Sequence, residues 1–306
     1  MNKKRYSGIE RKQARWGFAF VVPAIVFFSI FSFYPILNAL YTSLFDKRVL
    51  SLAKPPFVGA GNYVYLFTAQ TAGFWNSLRA TSVFTLGTFI PLLVFSLIFA
   101  VFLTGFVSSR TRGFFQIAYY TPAVLSSVVA AAIWMQMFDP RGLANQWVNT
   151  LLNTPGMDRR WLADQYMVQA STMIVYFWKY IGYFVILFIT GLSSIPPSLY
   201  EAATIDGSGK WQSFWRITLP LLRPTVALVS IMSMLQCLKT FSTQYLFTQA
   251  GAPQGPINVI TLNIYRTGIT NQRIGRASAM SIVLFIIMLI FTWVQFRVSK
   301  SDETDY

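Results

Sequence analysis

The chain has 306 residues, 54% of them hydrophobic and only 11% charged, which leaves too little polar surface to coat a water-soluble domain of that size. Its formal charge of +15 does not point to nucleic acid, because the bases sit in short segments beside long apolar runs, where Lys and Arg hold membrane topology. Histidine is absent and Cys237 is the one cysteine, which excludes an intrachain disulfide, the usual metal ligands and every Ser/His or Cys/His catalytic dyad.

In chain order, a basic segment at 1–15 carries Lys3, Lys4, Arg5, Arg11, Lys12 and Arg15. A helix of about 20 apolar residues crosses about 30 Å of hydrocarbon. Six runs are long enough: 16–44 with Pro23 and Pro35, then 77–106, 114–138, 168–192, 222–247 and 277–298. The first is too long, and its far end too poor in small residues, for a removable signal peptide. An all-α membrane protein is therefore expected, with one six-helix domain over 16–298. The basic N-terminus is expected in the cytoplasm by the positive-inside rule, and six crossings return the tail at 299–306 to the same side. Arginines at 141, 159, 160, 266, 273 and 276 fall in the outer loops, so the orientation rests on the first helix. Loops 45–76, 139–167 and 248–276 then face outward, each too short for a domain. Trp134, Trp147, Trp161 and Trp293 are read as interface anchors. The acidic tail is expected to be disordered.

The cytoplasmic segment 193–221 is the most informative. Pro196 and Pro197 predict the start of a short helix that Ser198 can cap. Asp206, Gly207, Ser208 and Gly209 predict a turn, and an amphipathic helix burying Trp211, Phe214 and Trp215 should follow and stop at Pro220. Such a hairpin is a knob for a partner's groove.

Glu201-Ala202-Ala203, then Gly207, then Ile217, Leu219 and Pro220, between the fourth and fifth of six spans, resemble the EAA loop of ABC importer permeases. Phe57 to Tyr63, Trp178-Lys179 with Gly182, and Gly275 to Ala279 resemble the sugar-uptake branch, whose members serve maltose, glycerol phosphate and related solutes. Gly251-Ala252-Pro253 departs from the two glycines usual there, which leaves that turn open. The resemblance implies a type I ABC importer permease fold, with Tyr200, Glu201, Ala202, Ala203, Asp206, Gly207, Leu219 and Pro220 in a coupling helix that engages an ATPase. It further implies a second homologous permease, an ABC ATPase dimer carrying ATP and Mg, an extracytoplasmic solute-binding protein and a plasma (inner) membrane location. No cofactor is expected in this chain.

The energy source can be argued separately. All ten acidic residues lie outside the apolar runs, whereas ion-coupled carriers keep carboxylates in the membrane. Gly207-Ser208-Gly209-Lys210 lacks the spacing of a phosphate loop, so any ATP hydrolysis belongs to another polypeptide. The chain is not expected to be an enzyme.

Two lysines, Lys179 and Lys239, sit well inside spans at similar depth, where charge is costly. Tyr176, Tyr180 and Tyr183 share a helix face with Lys179; Gln236, Thr240 and Thr243 share one with Lys239. Aromatic faces with a few polar donors suit sugar recognition, and the resemblance implies that these faces contact sugar. The candidate pathway is Tyr176, Lys179, Tyr180, Tyr183, Met232, Gln236, Lys239 and Thr240. The lysines equally fit snorkelling to the outer interface, with the tyrosines as its aromatic belt. An acidic sugar or phosphate ester would also suit paired lysines, although lysine at the first site is common in the family. A non-sugar importer, and more remotely a channel or scaffold, remain alternatives.

Overall fold

The computed structural model describes residues 8–51 and 53–301; Lys3, Lys4 and Arg5 and the tail from Asp302 lie outside them. In chain order the helices are α1 (Gly8–Phe28), α2 (Tyr34–Ser43), α3 (Gly61–Thr68), α4 (Phe74–Phe106), α5 (Ser109–Val124), α6 (Ser127–Met137), α7 (Leu143–Leu151) and α8 (Gln165–Ser193). They continue as α9 (Pro197–Ile205), α10 (Lys210–Ser213), α11 (Leu219–Leu221), α12 (Arg223–Leu238), α13 (Ser242–Gln249), α14 (Gln254–Ile257), α15 (Ile260–Tyr265) and α16 (Ile274–Ser301). Among the described residues there is no β-strand, and one isolated bridge pairs Phe45 with Phe57.

Five stretches are long and apolar enough to cross a membrane: Trp16–Ser43, Phe74–Gly105, Gln165–Ser193, Arg223–Gln249 and Ile274–Val298. The remaining expected span, the third at 114–138, is not straight. Thr111–Val124 and Ser127–Met137 meet at a bend of 100°. Pro122 lies in the last turn before the bend, Leu125 is extended, and Ser126 restarts the helix by accepting a hydrogen bond from the Val129 amide at 3.2 Å. The run 222–247 is also interrupted, between α12 and α13, where Phe241 leaves helical geometry at φ −150°.

Two compact units emerge. One holds the described residues up to Ala69 with Ile264–Val283; the other holds Gln70–Asn263 and the described residues from Leu284. In the first, α1 and α2 are joined by a π-helical turn, Ser29–Phe33. Proline has no N–H and its ring crowds the carbonyl four residues back, so Pro35 is accommodated by a widened turn containing Phe31. The apolar faces of this span are exposed within the chain, as a helix solvated by lipid requires.

The same unit ties together two segments distant in sequence. Asn62, buried at the start of α3, donates to the carbonyls of Ser43 at 2.7 Å and Phe45 at 3.0 Å. The Gly275 amide donates to the Lys47 carbonyl at 3.1 Å, and a Cβ at Gly275 would strike the Phe45 carbonyl. Arg276 lies 3.7 Å over the Tyr65 ring.

The second unit is built on α4 and α8, whose Phe84, Leu92, Phe184 and Phe188 are buried with Leu222 and Val229. Lipid tails are as apolar as leucine, so close packing rather than expulsion of water drives helix association here. Gly182 shows this: α5 passes so close that a Cβ would run into the Tyr119 carbonyl. Arg112 folds back to donate to the carbonyls of Leu103, Thr104 and Val107, closing the end of α4. Trp134 and Trp161, expected at the interface, are half-buried against a cluster of Ala131, Phe138, Val168 and Phe247, and the Trp161 indole donates to Asn145 at 2.8 Å. Trp147 and Trp293 are exposed.

Candidate functional site

Both helix breaks open onto one cavity of about 240 Å³ in the second unit, lined by Ser127, Tyr176, Lys179, Tyr180, Gln236, Lys239, Thr240, Phe241, Ser242 and Thr243. A broken helix inside a membrane is tolerable only if its freed backbone groups find partners. At the α12/α13 break, the Thr240 carbonyl accepts from the Thr261 hydroxyl, and the Lys239 amide still reaches the Leu235 carbonyl at 3.2 Å. The Thr240 hydroxyl donates to Gln244 Oε1 at 3.1 Å.

Lys179, at the middle of α8, is 7% exposed. Its ammonium donates to Ser127 Oγ at 3.0 Å and lies 5.4 Å from the centre of the Tyr180 ring. Ser127 is the first residue of α6, so this contact depends on the bend after Val124. Lys239 is exposed at the end of α12 and borders the same cavity. Tyr176 and Tyr180 pack with ring centroids 4.5 Å apart, and Phe84 meets Tyr176 edge-on at 5.4 Å. Gln236 presents a buried Oε1 with no hydrogen-bond partner.

Six of the eight candidate pathway residues therefore share the cavity. Tyr183 and Met232 do not line it; both pack against the buried cluster between α4, α8 and α12. Sequence reading missed Ser127, Phe241 and Ser242. A signal existed for the first, since Pro122 followed by Ser126 and Ser127 is a helix-restart pattern.

The segment 193–221 forms a second feature. Pro197 occupies the first turn of α9, as read, but Ser198 makes no cap. The end of α9 is a Schellman closure: the Ser208 amide donates to the Ala203 carbonyl at 2.8 Å and the Gly207 amide to that of Thr204 at 3.1 Å. Gly207 takes φ +77°, the left-handed geometry this closure needs. Glu201, Ala202, Asp206 and Gly207 are exposed, Ala203 is half-buried, and Tyr200 turns inward with its hydroxyl 2.9 Å from Thr218 Oγ1.

Two expectations for the following helix need correction. Trp211 and Trp215 are 74% and 51% exposed, because no described element of this chain covers that face. The helix does not stop at Pro220; a π-helical turn at Phe214–Thr218 widens it so that α11, with Leu219 and Pro220, can follow. The departure at Gly251-Ala252-Pro253 is harmless. Gly251 supplies the positive φ, +92°, and Ala252 completes another Schellman closure by donating to the Phe247 carbonyl at 3.0 Å.

Residues 66–301 match the model of the family described as "Binding-protein-dependent transport system inner membrane component". The chain belongs to this family. It is a multi-pass membrane permease with the importer permease fold. Among its relatives, the lactose transport system permease protein LacF of Rhizobium radiobacter is 31% identical, over 94% of this chain and 95% of that protein. The trehalose/maltose transport system permease protein MalF of Thermococcus litoralis is 28% identical, over 98% of this chain and 99% of its own length. The fold agrees with a chain in the crystal structure of a bacterial alginate ABC transporter in complex with alginate pentasaccharide-bound periplasmic protein. The TM-score is 0.80 at 22% identity, covering 95% of this chain and 96% of that one.

Proposed function

We propose that this permease is half of the translocation path of an ATP-driven, binding-protein-dependent importer for a sugar or oligosaccharide. The observation that carries the reading is the cavity at the two helix breaks. Tyr176, Tyr180 and Phe241 bring aromatic rings to stack on the apolar faces of a pyranose, while Ser127, Gln236, Thr240, Ser242, Thr243 and the lysines bring hydrogen-bonding groups for its hydroxyls. The names of relatives that transport lactose, trehalose and maltose support the same substrate class.

In this reading the exposed α9, with Glu201 at its centre and Trp211 and Trp215 beyond the turn, docks on a separate ATPase in the cytoplasm, where both termini also lie. Lys179 is about 20 Å along α8 from Ser193, where the loop begins, at 1.5 Å per residue. Movement of the loop is carried to the cavity by that one helix. A second permease completes the path and a binding protein delivers solute from outside. ATP binding closes the ATPases and opens the cavity outward; hydrolysis restores the inward-facing state.

The test is purification of the tagged chain in mild detergent, with identification of co-purifying subunits and measurement of ATPase activity with candidate solutes and binding protein. A second permease and a P-loop ATPase stimulated by saccharide are expected. Stimulation by a non-sugar solute alone would reassign the substrate, and a solitary chain without ATPase would leave a channel or scaffold.

A further inference from the structure

We infer that the saccharide carries a negative charge, a carboxylate or a phosphate ester, held by Lys179 and Lys239; the inference rests on the cavity being the saccharide path. Two of the ten lining residues are cationic and none is acidic. Among the described residues neither lysine makes an ion pair; the salt bridges present lie in loops between the spans, at Asp46 with Arg48 and Arg273 and at Asp158 with Arg160. Lys179 is buried, yet its one hydrogen bond goes to a neutral hydroxyl. An ammonium has three donors, and a buried charge without a counter-charge is costly. Lys179 thus keeps donors to spare and has no counter-charge in the cavity, and exposed Lys239 adds a second cation at its border; an anionic group on the ligand supplies what both lack.

The surroundings favour a charged group on a sugar over a bare ion. Buried Tyr176 and half-buried Tyr180 form an aromatic wall beside Lys179, and the Gln236 Oε1, buried without a partner, is an acceptor suited to a sugar hydroxyl. Anion and ring thus have separate recognition elements in one cavity. Carboxylate and phosphate share this chemistry, and the probes must separate them.

The experiment is equilibrium binding to the purified permease complex, comparing an oligouronide, its carboxyl-reduced neutral counterpart and a phosphorylated disaccharide. The expected result is that one of the anionic probes binds about 10- to 100-fold more tightly than the neutral one, the range that charge-assisted hydrogen bonds confer; whichever does so identifies the anion. The double variant K179Q/K239Q should bring that ratio close to one, and K179R should preserve it, which separates lost charge from lost folding. Equal or tighter binding of the neutral saccharide would overturn the inference while leaving the saccharide path intact. Binding of none of the three, with a non-sugar solute bound instead, would overturn both.

Discussion

At the scale of single residues, glycines show where backbone geometry is demanded and where it is not. Gly207 at φ +77° sits in the closure that ends α9, whereas Gly209, two residues on, has φ −74° and open space around its Cα. Forcing a β-branched residue into left-handed geometry costs about 1–2 kcal/mol. Gly207→Val is therefore expected to disturb the presentation of Glu201 and reduce uptake severalfold, while Gly209→Ala is silent; equal effects in a transport assay would remove the closure from the account. Glu201 is exposed, so its substitution tests the proposed docking surface with little effect on the fold. Glu201→Ala should leave insertion and thermal stability unchanged but lower uptake by about 10-fold or more, the effect of losing one charge-assisted contact. Wild-type uptake by this variant would mean that coupling runs elsewhere.

At the scale of elements, contacts that hold helices together are steric as well as polar. Gly182 lets α8 approach the Tyr119 carbonyl of α5, and Gly182→Val is expected to lower stability by about 1–3 kcal/mol by overpacking. Gly113, with nothing near its Cα, should accept alanine without loss. Thermal unfolding in detergent distinguishes the two, and an unaltered midpoint for Gly182→Val would deny that α5 and α8 pack this closely. In the other unit, Asn62→Leu removes both donors to the Ser43 and Phe45 carbonyls, at an expected cost of about 1–3 kcal/mol for orphaned buried acceptors. Loop 45–60 should then be cut faster by protease added to the detergent-solubilised protein; unchanged cleavage would argue that the loop is held by other contacts.

At the scale of the whole molecule, two kinds of surface are left uncovered among the described residues. The faces of α1 and α2 are apolar and exposed, as lipid contact demands, and the aromatic face at Trp211 and Trp215 stands beyond the last turn of α9. A subunit that completes its packing only in a membrane and against partners should be stable mainly as part of a complex. Co-expression with the proposed partners, a second permease and an ATPase, is expected to raise the yield of intact chain severalfold over expression alone. Equal yields would indicate that the subunit is self-sufficient.

What the sequence determined alone is what depends on local composition and period. Apolar length settled lipid as the solvent and located the spans; Pro196, Pro197 and Gly207 located the start and end of the loop helix; the absence of histidine and of intramembrane carboxylates narrowed the chemistry. Hydropathy reads a segment as a straight helix, however, and could not show that the third and fifth runs are broken. The break in the fifth run is met from elsewhere in the chain, where Thr261 donates to the Thr240 carbonyl, whereas the bend in the third is closed locally by Ser126 accepting from the Val129 amide. The pairing of Lys179 with Ser127, 52 residues apart, follows from the bend after Val124. It is likewise three-dimensional packing that sets half-buried Tyr183 and Met232 against the buried cluster and away from the cavity, although the helical period put them among the candidates. Trp211 was read as buried because it is apolar, and stands exposed because burial needs a facing surface, which only the tertiary arrangement could show the described residues do not supply.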